Sequence, residues 1–205
     1  MKLKAVIFDY DGVIHDTFDF HKQHIEAFTG KPINAEEYRD AHNGNFFTNK
    51  HDRLKDVDWL GYKDFIYEPQ LKLKTEEKIK NTLLDLGEKY DLFIVSSGGT
   101  KNISDYLDKN SLGGIFKEVM GAEQSRSKSE RFKYLSQKYS FGLDECVFVT
   151  DTLGDILEAN EVGIKTIAVD FGYHTKENLA KGKPAKIISD FSQIPEAIEK
   201  ERLKI

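Results

Sequence analysis

Several short apolar runs along the chain are each followed by Gly, Ser or Asp and then by a stretch of helical period. Short runs that are apolar throughout, instead of alternately, mark strands buried on both faces of a parallel sheet. The pattern predicts strands at residues 4–8, 92–96, 147–150, 166–169 and 186–188. Between them, Ile79, Leu83, Leu86 and Tyr90 recur at helical spacing over residues 75–90, with Thr75 as the expected N-cap and Glu76 and Glu77 in the first turn. Residues 155–162 read as another helix, with Gly163 placed to end it. Strand and helix alternating in this way predict an α/β fold with a doubly wound parallel sheet, whose site lies at the carboxyl ends of the strands.

Residues 15 to about 72 break the rhythm. They contain no convincing strand run, hold five of the six histidines, and are dense in aromatics such as Phe18, Phe28, Phe46, Phe47, Trp59 and Phe65. The segment reads as a helical insertion that follows the first strand and lies over its carboxyl end as a cap. The expected division is a core of residues 1–14 and 73–205 and a cap of residues 15–72, without internal repeats or low-complexity tracts.

Composition narrows the class. Hydrophobic residues make up 39% and charged residues 32%, the balance of a soluble globular protein. The net charge of -5 repels a phosphate backbone, so nucleic acid is not an expected partner. The N-terminal apolar run, Ala5 to Phe8, is too short for a signal-peptide core or a membrane span, which predicts a cytoplasmic protein with no membrane partner. The single cysteine, Cys146, lies in the string CVFV and reads as a small buried hydrophobe, in keeping with a reducing compartment.

The chemistry gathers where predicted strands end. In AVIFDYDGVI, Asp9 and Asp11 stand two apart before Gly12. Alternation aims both carboxylates the same way, and two anions that close need a cation or a proton; magnesium, held by carboxylates and water, suits the first case. Asp and Gly also simply favour the turn that ends a strand. A second acidic pair follows the strand in ECVFVTDTLGDILEA, where Asp151 and Asp155 are four apart. One can ligate a metal while the other supports it, although Asp155 also suits a helix N-terminus on charge alone. In FIVSSGGT, Ser96, Ser97, Gly98 and Gly99 offer a hydroxyl and free backbone N–H groups at a strand-to-helix turn, a possible phosphate cradle. Lys128 falls at the start of a helix with apolar positions Phe132, Leu135 and Tyr139, where its ammonium can neutralise phosphate oxygens and hold Asp9 ionised. The histidines at 15, 21, 24, 42 and 51 have no accompanying cysteine, and only His21 and His24 share a helical i, i+3 spacing, so no zinc site is expected.

In chain order, DYDGVI, the FIVSS strand end, Lys128 and VTDTLGDI resemble the four motifs of the haloacid dehalogenase superfamily. The likeness covers roughly residues 1–14 and 75–190. HDTFDFHKQHIEAF resembles the opening of that family's helical caps, and FGYHTKENLAKGKPAKIISDFSQIPEAI the tail of phosphoglycolate phosphatase-like members. The resemblance implies a Rossmann-like core, a magnesium cofactor and a phosphatase acting on a small phosphorylated metabolite. Phosphoglycolate comes first as substrate, with sugar phosphates and nucleoside monophosphates behind it. It further implies that Asp9 attacks phosphorus, that Asp11 protonates the leaving oxygen and then activates water, and that Ser96, Ser97, Gly98 and Lys128 hold the phosphoryl oxygens. Asp9, the main-chain carbonyl of Asp11, and Asp151 would hold magnesium, with Asp155 supporting. Asp11 argues against a dehalogenase, which has no leaving alkoxide to protonate. A β-phosphoglucomutase-like mutase, a phospho-accepting signalling protein and a silent binding protein are the competing readings.

Two positions depart from the family pattern: Thr150 stands where glycine is usual before Asp151, and Lys128 lacks the proline that often follows it in cap-bearing members. In the cap, Gly44 allows a turn amid Arg39, His42, Asn43, Lys50 and Arg53, which makes these five the expected readers of the leaving group.

Overall fold

A computed structural model describes residues 3–48 and 54–202, the side chains of 201 and 202 excepted. Six parallel strands form one sheet: β1 (Ala5–Phe8), β2 (Asp91–Val95), β3 (Phe116–Met120), β4 (Cys146–Thr150), β5 (Lys165–Val169) and β6 (Lys186–Ile188). Their spatial order is β3-β2-β1-β4-β5-β6, which puts β1 between β2 and β4 and makes it the place where the winding reverses.

Side-chain alternation divides each apolar run between two cores. Val6 and Phe8 face one side with Ile94, Val149 and Val169, against α4 (Glu77–Gly87), α5 (Thr100–Lys109) and α9 (Ile194–Arg202). Ala5 and Ile7 face the other with Phe93, Val95 and Phe148, against α6 (Lys128–Tyr139) and α7 (Leu153–Glu161). A short helix, α8 (Lys176–Ala180), closes the sheet beside β5 through Leu179, Ala168 and Ile156.

The strands at 4–8, 92–96, 147–150, 166–169 and 186–188 are present to within one residue at each end, whereas β3 has no counterpart in the sequence reading. It is an edge strand, and Lys117 and Glu118 interrupt its apolar positions because most of it is only half-buried. At the start of α4 the N-cap is Glu76, which makes no side-chain capping bond, while Thr75 Oγ1 shares a hydrogen bond of 2.7 Å with Tyr106 Oη. The helix expected at 155–162 starts two residues earlier, since Thr152 caps it by accepting from the Asp155 backbone N–H.

Residues 18–70 add α1 (Phe18–Thr29), α2 (Ala35–Asp40) and α3 (Trp59–Gln70), with no strand among the described residues. These helices share an apolar cluster of Phe18, Ile25, Ile33, Tyr38, Tyr62 and Ile66, which the α/β body completes with Tyr173. The segment is fastened to that body by hydrogen bonds. Arg39 Nε donates to the Tyr173 carbonyl at 2.8 Å, the Gly154 N–H donates to the His42 carbonyl at 3.1 Å, and Asn178 Nδ2 donates to Asn43 Oδ1 at 2.7 Å. Gly154 is required here, because a Cβ would collide with the Gly44 carbonyl. Among the described residues no helix is long and apolar enough to cross a membrane.

Candidate active site

The carboxyl ends of β1, β2 and β4 open into one cavity beneath α1–α3, lined among others by Asp9, Asp11, Ser96, Ser97, Gly98, Lys128 and Asp155. Asp9 directly follows β1, with its N–H bonded to the Val149 carbonyl at 2.9 Å and its Oδ1 accepting from the Tyr10 N–H at 2.7 Å. Its other oxygen lies 2.9 Å from Lys128 Nζ. Lys128 is only 2% exposed and also reaches Asp155 Oδ2 at 2.6 Å, so one ammonium bridges the acidic groups of two strand ends. Thr150 adds a bond of 2.7 Å from its Oγ1 to the same Asp155 oxygen. The residue that departs from the family pattern thus holds the carboxylate that holds Lys128.

The charges are not balanced within this cluster. Burial pushes the Asp9 carboxyl well above the usual range, Lys128 opposes this, and the nearby Asp155 and Asp151 reinforce it. Burial would likewise raise Asp155, but the charge and hydrogen bonds of Lys128 and its other partners outweigh it and keep it below the usual value. The Lys128 ammonium loses to burial and regains more from Asp155 and Asp9, so its pKa lies above the ordinary lysine value. Asp151 is driven up to about 8, chiefly by burial.

Asp151 is wrapped by glycine. At Gly12 (φ 72°) and at Gly172 a Cβ would collide with the Asp151 side chain, so only glycine lets the two loops close on it. The Tyr173 N–H satisfies Asp151 Oδ2 at 2.7 Å, whereas Oδ1 is buried without a partner. A buried carboxylate oxygen left bare next to an over-crowded Asp9 suits a divalent cation: the charge would satisfy the first and relieve the second. Among the described residues no group of three or more His, Cys, Asp or Glu side chains is placed to hold a metal ion.

Asp11 faces the helical segment. Its Oδ1 accepts from Thr17 Oγ1 at 2.8 Å and lies 2.9 Å from His21 Nε2, while His21 Nδ1 lies 2.9 Å from Tyr62 Oη. Burial raises its proton affinity, but the charge of His21 and the bonds from His21 and Thr17 outweigh this and hold Asp11 below the usual carboxylate range. In the loop after β2, Ser96 Oγ accepts from the Gly98 N–H at 3.0 Å. The Ser96 carbonyl is gripped at 2.5 Å by Arg131 Nη1, which also donates to the Met120 carbonyl at 3.1 Å.

Arg131 and His21 were not named as site residues from the sequence. Arg131 lies three residues after Lys128, hence on the same face of α6, and that spacing was the available signal. The sequence assigns His21 to no zinc site and gives no sign of its partners, since Asp11 and Tyr62 are 10 and 41 residues away.

Of the five expected readers of the leaving group, His42 lines the cavity, stacked on Phe46 at 4.8 Å with burial pushing its imidazole down to about 4. Arg39 and Asn43 do not line it: the Arg39 guanidinium covers the Phe18 ring at 4.2 Å and bonds to Tyr173, and Asn43 bonds to Asn178 and Asp40. Lys50 and Arg53 fall outside the described residues. Two other described histidines of the segment have ordinary partners, with His24 Nδ1 2.7 Å from the Phe20 carbonyl and His15 Nδ1 3.0 Å from Tyr106 Oη, while His51 falls outside the described residues.

Comparison with known proteins gives the same grouping. A family model described as haloacid dehalogenase-like hydrolase matches residues 6–169. A phosphoglycolate phosphatase of Pasteurella multocida is 28% identical over 125 residues, covering 59% of this chain and 56% of its own length. The chain thus spans about half the length of the first curated relatives it matches. A phosphoglycolate phosphatase of Vibrio parahaemolyticus is 22% identical over 96% of both chains. Among solved structures, a haloacid dehalogenase-like hydrolase of Streptococcus pneumoniae superposes with a TM-score of 0.78, covering 96% of this chain and 98% of that one at 19% identity, a likeness of fold.

Proposed function

Since the chain belongs to the haloacid dehalogenase-like hydrolase family, we propose that it is a magnesium-dependent phosphatase that cleaves a small phosphomonoester through a phosphoryl-aspartate on Asp9. The observation that carries this reading is the Asp9 carboxylate, buried at the end of the central strand, 2.9 Å from Lys128 Nζ and sharing a cavity with Asp11. The names of the curated relatives support a phosphomonoester as substrate.

In this reading Asp9 Oδ attacks phosphorus, and the bond to the leaving oxygen breaks as Asp11 gives that oxygen its proton. Asp11 is held as a carboxylate by His21 and Thr17 before substrate arrives; the approach of a phosphate dianion raises its proton affinity as any like charge would, so that it takes up from solvent the proton it then gives to the leaving oxygen. It then takes a proton from the water that attacks the phosphoryl-aspartate. Lys128 and Ser96 hold phosphoryl oxygens, Asp155 and Thr150 fix Lys128, and Arg131 fixes the Ser96 loop. Asp9, the Asp11 main-chain carbonyl and Asp151 would hold magnesium, whose charge supplies electrostatic neutralisation of the phosphoryl group. Residues 15–72 act as the cap that selects the leaving group, and residues 1–14 and 73–205 perform the chemistry.

The test is phosphate release from a panel of phosphomonoesters, with magnesium and with excess chelator. Turnover is expected to need the ion, to vanish in Asp9→Asn, and to fall severely in Asp11→Asn. Undiminished turnover in chelator, or an Asp9→Asn protein that keeps more than a small fraction of activity, would show the reading to be wrong.

A further inference from the structure

A run of rings lines part of the cavity. Phe46 lies at its centre: His42 stacks on it at 4.8 Å, Trp59 meets its edge at 4.8 Å, and Phe47 meets it at 5.5 Å. Tyr62 continues the wall beyond Trp59, with ring centroids 5.9 Å apart. All five line the same cavity as Asp9 and Asp11, so a leaving group attached to a phosphoryl group at Asp9 shares that cavity with them. Phe46, Phe47 and Trp59 are partly exposed, which leaves ring surface available to a ligand.

Charge on the same wall is already matched. Among the described residues the two Lys or Arg side chains lining the cavity are Lys128 and Lys63. Lys128 is shared between Asp9 and Asp155, and Lys63 Nζ pairs with Glu123 at 2.8 Å. Arg126, whose guanidinium lies 5.4 Å over the Phe47 ring, is not part of the lining, and Arg39 is committed to Tyr173 and Phe18. A carboxylate on the leaving group would therefore enter a cavity that already holds Asp9, Asp11 and Asp155 without meeting an unmatched cation among the described residues.

We propose, resting on the phosphatase reading above, that the leaving group this site accepts is uncharged and presents a flat face to the Phe46–Trp59 wall, as the nucleoside of a nucleoside 5′-monophosphate does, in place of a short carboxylate-bearing alcohol such as glycolate. Stacking on rings is tolerant of which base is offered, because every base has a π face, so a class of substrates is selected instead of one sequence of hydrogen bonds.

The experiment compares kcat/KM for uridine and adenosine 5′-monophosphates, phosphoglycolate and acetyl phosphate, the last having a leaving group with no ring to stack. At least one nucleotide should exceed phosphoglycolate by about tenfold or more. Trp59→Leu should lower the ratio of nucleotide to acetyl phosphate turnover by about tenfold, and Trp59→Phe, which keeps a ring, should restore most of it. Trp59 is the only tryptophan of the chain, so its fluorescence in the unaltered protein gives a binding readout that needs neither turnover nor a variant. Saturable quenching by nucleotide that phosphoglycolate does not reproduce is expected. Phosphoglycolate as the better substrate, or a ratio unmoved by Trp59→Leu, would overturn the inference and leave the phosphatase reading standing. Failure to cleave any of the four phosphates would overturn the phosphatase reading itself, and quenching would then decide on the ligand: its absence would refute the flat leaving group too.

Discussion

Removing Lys128 tests the electrostatic argument at its most exposed point. Lys128→Met keeps much of the stem volume but deletes the ammonium that lies 2.9 Å from Asp9 and 2.6 Å from Asp155, both buried. Breaking a buried pair by taking one partner costs about 3–5 kcal/mol, because the remaining charge is left without compensation. For a chain of this size that is a fall of roughly 6–20 °C in the unfolding midpoint. The measurement is thermal unfolding in excess chelator, so that no divalent ion substitutes for the ammonium. Lys138→Met is the control: Lys138 pairs with Glu118 at the comparable distance of 2.8 Å, but its side chain is 44% exposed and its loss should scarcely matter. The sign of the pH effect follows from the direction of the shifts. Without Lys128 the carboxyls of Asp9 and Asp155 are raised by burial in the folded state. A carboxyl raised on folding destabilises progressively as pH climbs from its unfolded value towards its folded one, so the deficit should be smaller near pH 5 than near pH 8. Asp155→Asn added to Lys128→Met should recover part of the loss, a non-additivity that neighbours sharing one network must show. A Lys128→Met protein melting within about 2 °C of the parent would refute the reasoning, since it would mean the bridge carries no more than a surface pair.

Three further outcomes follow. Thr150→Val deletes the 2.7 Å bond to Asp155 while keeping the shape, and should lower the urea midpoint by the equivalent of about 1.5–3 kcal/mol with an unchanged slope. His42, held down to about 4 by burial against about 6.5 unfolded, supports stability above its unfolded value and loses that support as pH falls through its folded one. The ring keeps some contact with solvent, so the loss between pH 7 and 4 attributable to it should be on the order of 1–2 kcal/mol, read as the difference between the parent and His42→Phe over that range. Cys146, pushed up to about 12 by burial on β4, should react with a thiol reagent only as fast as the protein unfolds; rapid modification of the folded chain would contradict that placement.

The sheet was legible because its central strands are buried on both faces, so that nearly every side chain of AVIF, LFIV and CVFV had to be apolar. The strand that escaped, β3, lies at an edge, where half-burial admits Lys117 and Glu118 and the pattern loses its contrast with a loop. The acidic residues at the strand ends stand out for a related reason. A parallel sheet delivers its carboxyl termini to one side, and acidic residues at the ends of two buried strands therefore lie within reach of one lysine. Local spacing carried that information, and the tertiary fold had only to bring the two ends together.

The helical segment behaves differently because its polar residues serve two purposes that sequence spacing does not distinguish. Arg39 and Asn43, chosen for their chemistry and their place beside a glycine turn, spend their hydrogen bonds on Tyr173 and Asn178, each more than 130 residues away. Arg39 Nε serves a carbonyl far along the chain, and nothing in the local pattern around Arg39 marks that carbonyl. His21 shows the converse: it shares a helical i, i+3 spacing with His24, yet His24 is bonded to the Phe20 carbonyl and His21 to Asp11. What the sequence shows in this segment is its aromatic density. In the structure Phe18, Tyr38 and Tyr62 do pack, and Phe46, Phe47 and Trp59 keep part of their surface turned to the cavity. Composition therefore located the wall, and only the fold divided its rings between the core of the segment and the surface a leaving group would meet.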